Sequence, residues 1–252
     1  MRVLSYGVGN DSTGILAAWH EEGLQETDPI DLILTADTGG ERPRFYEYIE
    51  IVNEWLKERG FPEVTVVRKG GRQETLEENC LRLNMLPSLA YGFKGCSLKY
   101  KVEPQEKFLN NSPQAKAWWA QGQLVTKMIG YEHREERRWA KAKKFDSKYE
   151  YEFPLVERGW NKAECQAAIA RVGLPPPGKS ACFFCPASTI PEINELKTEH
   201  PLLFQRALIM EANAKLTSVK GLGRRFAWSS LTAHIAREDA FTVEVCRSCI
   251  DN

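Results

Sequence analysis

From Val3 to His20 the sequence reads VLSYGVGNDSTGILAAWH. A short apolar run leads into a turn rich in glycine, and an apolar helical pattern begins at Gly14. This order predicts a strand, a tight turn and a helix. Successive backbone N–H groups at the start of that helix, with small residues that allow close approach, predict a site for an anion. The turn matches neither a Walker A loop nor a GxGxxG fingerprint, and a plain tight turn is the alternative.

Further along the chain, strand-like runs alternate with a helical pattern. The runs are Leu32–Ala36, Val64–Val67 and Leu124–Ile129, and the helical pattern extends from Arg44 to Arg59. This alternation predicts an α/β, Rossmann-like fold with a parallel sheet. Ligands of such sheets bind beyond the carboxyl ends of the strands. We therefore expect the polar segments after Tyr6, Ala36 and Ile129 to meet in one crevice.

The chain changes character at Pro175–Gly178, where three consecutive prolines predict an extended connector. We therefore predict two parts. Residues 1–174 form the α/β domain with the anion site, and residues 175–252 form a small extension that carries cysteines. The extension is predicted to be mainly helical, with a helical stretch from about Pro191 to Lys215.

Composition is typical of a globular protein: of 252 residues 42% are hydrophobic, and 34 Lys and Arg balance 34 Asp and Glu. No apolar run is long enough to predict a membrane span, and without a secretory signal at the start we expect a cytoplasmic protein. Four of the seven cysteines form two CxxC pairs, Cys182 with Cys185 and Cys246 with Cys249. In that setting such pairs predict metal, cluster or redox chemistry rather than structural disulfides.

The zero net charge hides a strong segregation of charge. Residues 1–63 carry 5 basic and 13 acidic side chains, residues 134–148 carry seven basic and three acidic ones, and residues 212–237 carry five basic and no acidic ones. The two basic stretches include Trp139, Phe226 and Trp228, and they fit a phosphate-rich partner such as nucleic acid. A solvated helix face is the alternative.

Several segments jointly resemble one family. They are Ser5–Thr13, Ala36–Pro43, Gly95–Pro104, Gly130–Arg137 and Ala181–Pro186. The first resembles the PP-loop of the adenine-nucleotide α-hydrolase superfamily, and the others resemble motifs of phosphoadenylyl-sulfate (PAPS) reductases and their ATP pyrophosphatase relatives. The resemblance implies a HUP-type core that binds ATP with Mg²⁺. The chain departs from the family at two places. Gly95 stands where the family's iron–sulfur reductases have the first of two adjacent cysteines, and the tail of this chain lacks the ECGxH ending of those reductases.

The resemblance also implies roles for individual residues. The nucleotide-binding residues would be Ser5, Gly7, Gly9, Asn10, Asp11, Ser12, Thr13, Asp37 and Gly130. The catalytic residues would be Asp11, Asp37, Arg134 and Arg137, with His133 and Arg138 beside them. Asp37 would contact a metal ion or the ribose, and the arginines would neutralise charge that develops on phosphate.

Cys96, Cys182 and Cys185 resemble three of the thiolates that hold a [4Fe–4S] cluster in the family's reductases. Thiolates also bind zinc, and the sequence does not separate the two metals. A fourth ligand would come from Cys246 or Cys249, or the fourth iron would stay open, as in some PP-loop tRNA thiolases. Buried thiols without a metal are the alternative.

Three functions are compatible with these features. The favoured one is a PP-loop ATP pyrophosphatase that adenylates a substrate for sulfur transfer, with a nucleic acid or a nucleotide-like acceptor and a sulfur-donor protein as partners. The second is a PAPS or adenylyl-sulfate (APS) reductase that produces sulfite with a thiol reductant. The third is a nucleotide-binding redox sensor without catalysis.

Overall fold

The computed structural model describes residues 1–70 and 74–231. Five strands form one sheet, namely β1 (Arg2–Ser5), β2 (Leu32–Asp37), β3 (Val64–Arg68), β4 (Val125–Ile129) and β5 (Tyr149–Glu152). Their order is β3-β2-β1-β4-β5, and every neighbouring pair is parallel. The predicted α/β fold with a parallel sheet is therefore confirmed.

Helices connect the strands and follow the sheet. They are α1 (Asn10–Glu21), α2 (Leu24–Thr27), α3 (Pro43–Glu58), α4 (Leu76–Arg82), α5 (Gly95–Ser97), α6 (Glu103–Asn111), α7 (Pro113–Ala120), α8 (Glu136–Trp139), α9 (Pro154–Glu157), α10 (Lys162–Arg171), α11 (Ile190–Glu199) and α12 (Pro201–Asn213). A 3₁₀ turn covers Ser88–Tyr91, and a π-helical turn covers Leu98–Val102. Within the described ranges, every helix is too short or too polar to cross a membrane.

The described residues group into two compact units. Within the described residues, unit 1 comprises residues 1–70 and 99–181 and contains the whole sheet. Unit 2 comprises residues 74–98 and 182–231, so it contains α4, α5, α11 and α12. The domain boundary after residue 174 stays a prediction.

The core of unit 1 has two layers, because successive strand residues point to opposite faces of a sheet. On one face Leu4 of β1 belongs to a cluster with Tyr48 of α3 and Ile169 of α10. On the other face Val3 belongs to a cluster with Leu109 of α6. Both faces of the sheet are thus covered, as parallel sheets require.

Helices α1 and α10 approach each other closely at a glycine. A Cβ added at Gly14 would lie 2.9 Å from Cys165 Cβ and 3.0 Å from its Sγ. Cys165 is fully buried, and burial raises the pKa of its thiol to about 12. This contact fixes α1, the helix that follows the glycine-rich turn.

Two elements differ from the sequence prediction. The helical stretch predicted from Pro191 to Lys215 is split into α11 and α12, because a proline disfavours helical backbone at the residue that precedes it. His200 precedes Pro201 and has φ −134°. The short strand β5 was not predicted. Its sequence is only four residues long, and Glu150 within it is exposed.

In unit 2, α4 and α12 are joined by an ion pair between Glu77 and Arg206. Trp228 is fully buried and stacks on Phe204 of α12, with ring centroids 6.4 Å apart. The hypothesis that Trp228 contacts nucleic acid is therefore wrong, because a buried ring offers no face to a base. The sequence did not distinguish it from Phe226, which stays partly exposed.

Candidate functional site

The carboxyl ends of β1 and β4 lie side by side, and the chain diverges there. From β1 it continues to β2 on one side, whereas β4 leads to β5 on the other. Such a topological switch point is where open parallel sheets bind ligands. The segments that leave the sheet at this point are residues 6–9 and residues 130–135, and both belong to unit 1.

The first segment has an unusual backbone that opens the start of α1. Val8 has φ +55°, a left-handed conformation that is rare for a β-branched residue and costs about 1–3 kcal/mol. Gly9 is the N-cap of α1 and is extended, and no side chain in the described part of the chain caps this helix. The first N–H groups of a helix lack partners within it. They are therefore available to an anion, with the helix dipole favouring negative charge.

Hydroxyl groups hold this loop in shape. Ser12 Oγ accepts a hydrogen bond from Gly7 N–H at 3.1 Å and donates to the Gly9 carbonyl at 3.3 Å. Thr13 Oγ1 and the Tyr6 hydroxyl lie 3.1 Å apart in the core. These hydroxyls thus hold the loop together, and the Thr13 N–H is engaged as well, because it donates to the Gly9 carbonyl at 3.0 Å.

Two further predicted residues complete the loop. Ser5 is the last residue of β1, directly before the turn. Asn10 is the first residue of α1, and its side-chain Oδ1 is buried without a hydrogen-bond partner among the described residues. Buried polar atoms normally have a partner. An unmatched acceptor beside open N–H groups is consistent with a site that is completed by a ligand or by water.

The second segment begins with Gly130, whose backbone lies against the first turn of α1. A Cβ added there would be 3.0 Å from Ser12 N and 3.1 Å from both Asp11 C and Asp11 Cβ. Any side chain at this position would press on the backbone of the loop. The structure therefore brings Gly130 and the start of α1 together, as the sequence predicted.

Asp11, in the first turn of α1, is influenced by charged residues of the second segment and of the helices that follow it. Burial, followed by the negative charges of Glu132 and Glu135, raises the pKa of Asp11 to about 6. The positive charges of Arg138 and Lys162 oppose this rise. Asp11 is therefore largely ionised at neutral pH, close to a loop that also favours anions. A divalent cation would reduce the repulsion between the Asp11 carboxylate and an anion bound at the loop. Carboxylate oxygens are ligands that Mg²⁺ accepts.

Arg138 is the arginine whose charge acts most strongly on Asp11. Its guanidinium forms an ion pair with Glu135 and lies 4.5 Å from the centroid of the Tyr131 ring, so its position is well defined. Arg134, Arg137 and Arg138 are all exposed, and Arg134 and Arg137 are the predicted catalytic arginines. The sequence placed all three in one basic run and did not indicate that the charge of Arg138 acts on Asp11.

Asp37 ends β2 and is fully engaged inside unit 1. Its carboxylate accepts hydrogen bonds from Arg68 Nε at 2.9 Å, the Tyr46 hydroxyl at 3.1 Å and Gly39 N–H at 2.7 Å, and the side chain is completely buried. A carboxylate with these partners has little capacity left for a metal ion or a ribose. Asp37 instead holds Arg68, which is about half exposed and lines a cavity of about 470 Å³ beside Lys107.

The proline-rich segment, for which the sequence predicted no site role, lies on the loop. The Ser180 hydroxyl donates a hydrogen bond to the Gly7 carbonyl. The segment is fastened to α3, because Pro175 O accepts from the Tyr48 hydroxyl at 2.8 Å and Pro176 O accepts from Arg44 at 3.0 Å. Ser180 gave no signal of its own in the sequence, since its contact with Gly7 spans 173 residues.

The described cysteines of the predicted metal site all belong to unit 2. Cys182 is buried, Cys96 and Cys185 are partly exposed, and the three carry reduced thiols. Soft thiolates suit iron–sulfur or zinc chemistry, but within residues 1–70 and 74–231 no group of three or more Cys, His, Asp or Glu is arranged to hold a metal ion. Cys246 and Cys249 lie outside the described residues. The described donors therefore do not form a complete site, and the predicted ligand set stays a prediction.

Comparison with known proteins finds likeness in structure but not in sequence families. No protein-family model matches the chain, and no curated protein matches it. Among solved structures, the chain is similar to the U34-tRNA thiolase NcsA from Methanococcus maripaludis, determined with its [4Fe–4S] cluster. The sequence identity is 14% and the TM-score is 0.42, with 90% of this chain and 76% of the thiolase chain covered.

Proposed function

We propose that unit 1 binds ATP at residues 6–9 and 130–135 and transfers its adenylyl group to an acceptor, with release of pyrophosphate. The observation that carries this proposal is the uncapped first turn of α1 at the switch point, opened by the left-handed Val8 and approached by Gly130. A row of N–H donors at a helix start suits the phosphates of a nucleotide. Mg²⁺ would enter with ATP as part of the substrate.

In the proposed reaction, an oxygen of the acceptor attacks the α-phosphorus of ATP. The bond from that phosphorus to the oxygen bridging to the β-phosphate breaks, and pyrophosphate leaves with the electron pair. Arg138 is positioned by Glu135 and Tyr131 to offset the negative charge that develops. Asp11 would bind the Mg²⁺ that accompanies the leaving group. Asp37 would hold the Arg68 guanidinium in position through its hydrogen bond.

A finer proposal concerns the fate of the adenylated acceptor. Hydrosulfide, or an equivalent sulfur delivered by a donor protein, would attack the activated carbon, and AMP would leave with the oxygen. We propose that Cys96, Cys182 and Cys185 serve this sulfur chemistry, with a [4Fe–4S] cluster or zinc as the group they hold together with Cys246 or Cys249.

The metal proposal has its own test. The full chain and its Cys182→Ser variant are purified without oxygen, and iron, zinc and acid-labile sulfide are measured. Cys165→Ala, which removes a buried thiol from unit 1, serves as the matched control. Metal retained by the wild type and by the control, but lost from Cys182→Ser, supports the proposal. A wild-type chain that retains neither iron nor zinc contradicts it.

The adenylation proposal is tested by the release of pyrophosphate from ATP in the presence of Mg²⁺ and cellular RNA. Asp11→Asn should lower this rate about tenfold or more, because it removes a carboxylate from the site. Glu63→Gln, at an exposed position before the amino end of β3, should leave the rate unchanged. An unaffected Asp11→Asn variant contradicts the proposal. Sulfite formed from PAPS or APS would favour the reductase, and nucleotide binding without any turnover would favour the sensor.

A further inference from the structure

Unit 2 contains a cavity between Ala90 and Tyr91 on one side and the loop from Lys215 to Phe226, which we call the basic loop, on the other. The cavity has a volume of about 590 Å³, within the range of small-ligand sites. Its walls include Tyr91, Ser218, Arg224, Arg225 and Phe226. It therefore combines aromatic rings with guanidinium groups.

The basic loop is held from below by a buried carboxylate. Glu211 of α12 accepts hydrogen bonds from the backbone N–H groups of Leu222 at 2.7 Å, Trp228 at 2.8 Å and Ser229 at 3.0 Å. Gly221 lies so close that an added Cβ would be 2.4 Å from Glu211 Oε2. The base of the loop is thus fixed, so its exposed side chains are presented without a large cost of ordering.

The charges of the loop point outward. Lys215, Lys220, Arg224 and Arg225 are exposed, and the stretch from residue 212 to 231 contains no acidic side chain. Within the described ranges neither arginine forms an ion pair, and the carboxylate of Glu211 is turned toward the backbone. The positive charge therefore remains available to an external anion.

Aromatic rings stand beside these charges. The Phe226 ring lies against Gly223, where an added Cβ would be 2.5 Å from a ring carbon, and one ring face is left partly exposed. The Arg224 guanidinium lies 3.4 Å from the Cβ position of Gly92, which brings the two segments together. Phe93, next to Gly92, is 73% exposed.

We infer that this cavity binds one nucleotide unit of a single-stranded nucleic acid. Arg224 and Arg225 would bind the phosphate through their planar N–H groups, and Tyr91 and Phe226 would stack on the base. Lys215 and Lys220 would attract the neighbouring phosphates of the strand. An acidic peptide would use the charges but not the rings, and it is therefore the less suitable occupant. This inference rests on the proposed function in one respect, because it names the substrate class of that enzyme.

The test is fluorescence anisotropy of the full chain with a labelled single-stranded RNA of mixed sequence, without ATP and at several salt concentrations. Replacing both arginines (Arg224→Ala with Arg225→Ala) should weaken binding and reduce the slope of log K against log salt by about 0.7, since the two arginines bind one phosphate and each phosphate contact contributes about 0.7. Phe226→Leu, which keeps an apolar side chain, should weaken binding by about 5-fold to 100-fold with an unchanged slope.

Lys197→Ala, which removes a basic residue of unit 2 outside the basic loop, is the matched control and should bind like the wild type. Equal weakening in the control and in the double arginine variant would overturn the inference. So would binding to vesicles of anionic lipid or to an acidic peptide in the absence of RNA binding. Pyrophosphate release is measured on the same samples. If the wild type turns over ATP but does not bind RNA, this inference alone is refuted. If the wild type binds RNA but Asp11→Asn turns over ATP at the normal rate, only the proposed function is refuted.

Discussion

Replacing Glu211 by Gln should release the basic loop of unit 2. The carboxylate accepts from Leu222 N and Trp228 N through one oxygen, and from the backbone and hydroxyl of Ser229 through the other. A glutamine can keep one of these oxygens, but its NH₂ group faces N–H donors at the other position. In the less costly arrangement the amide oxygen keeps Leu222 and Trp228 bonded, and the Ser229 N–H loses its acceptor. An unsatisfied donor costs about 1–3 kcal/mol, so the local loss is about 1–3 kcal/mol.

Hydrogen exchange measured by mass spectrometry reports this loss locally. Because about 1.4 kcal/mol corresponds to a tenfold change, peptides that cover residues 218–231 should exchange at least about fivefold faster in Glu211→Gln. Glu199→Gln, at an exposed position of α11, is the control and should leave exchange unchanged. Unchanged exchange in the Glu211→Gln loop would refute the reasoning. Uniform acceleration throughout both units would refute it too, because the effect would then be global unfolding.

Three further results are expected. Gly130→Ala should weaken ATP binding about fivefold or more in calorimetry, because its Cβ meets the backbone of α1 at 3.0 Å and overpacking of this kind costs about 1–3 kcal/mol. The control Gly122→Ala, with open space around it but φ +74°, should lower stability without affecting ATP binding. The pKa of Asp11 rises from 3.8 to about 6 on folding, so the native chain binds more protons than the unfolded chain between these pH values, and its stability falls as pH rises through them. The melting temperature of Asp11→Asn should therefore exceed that of the wild type near neutral pH, and the difference should shrink toward pH 4. A difference that does not change with pH would contradict the raised pKa. Gly14→Ala should lower the free energy of unfolding by about 1–3 kcal/mol, and Cys165→Gly should restore part of it in a double-mutant cycle.

Local signals in the sequence predicted much of unit 1. The strand, turn and helix from Arg2 to Glu21 depend on neighbouring residues, and the four predicted strands and α3 were found within about two residues of their expected bounds. The parallel order places the carboxyl ends of β1, β2 and β4 at one edge of the sheet, and the single crevice expected there stays a prediction. Strand β5 gave no such signal, because a four-residue edge strand with an exposed glutamate resembles a loop.

The sequence could not predict the partners of the site residues, since these depend on register and packing. Asp37 is paired in register with Arg68 of the neighbouring strand, and this pairing turns a candidate catalytic carboxylate into a support for an arginine. Ser180 reaches the loop from 173 residues away. Trp228 and Phe226 are two residues apart, yet the turn of the loop buries one ring and leaves the other accessible.

The tight crossing of α1 and α10 also makes Cys165 a natural reporter. Its thiol is sealed by a glycine and stays protonated at neutral pH, because burial raises its pKa to about 12. An alkylating reagent needs a thiolate and room for its own bulk, so it can react only after the two helices separate. The alkylation rate of Cys165 would therefore report how often α1 and α10 separate. Any molecule that binds the start of α1 and holds it in place would lower that rate.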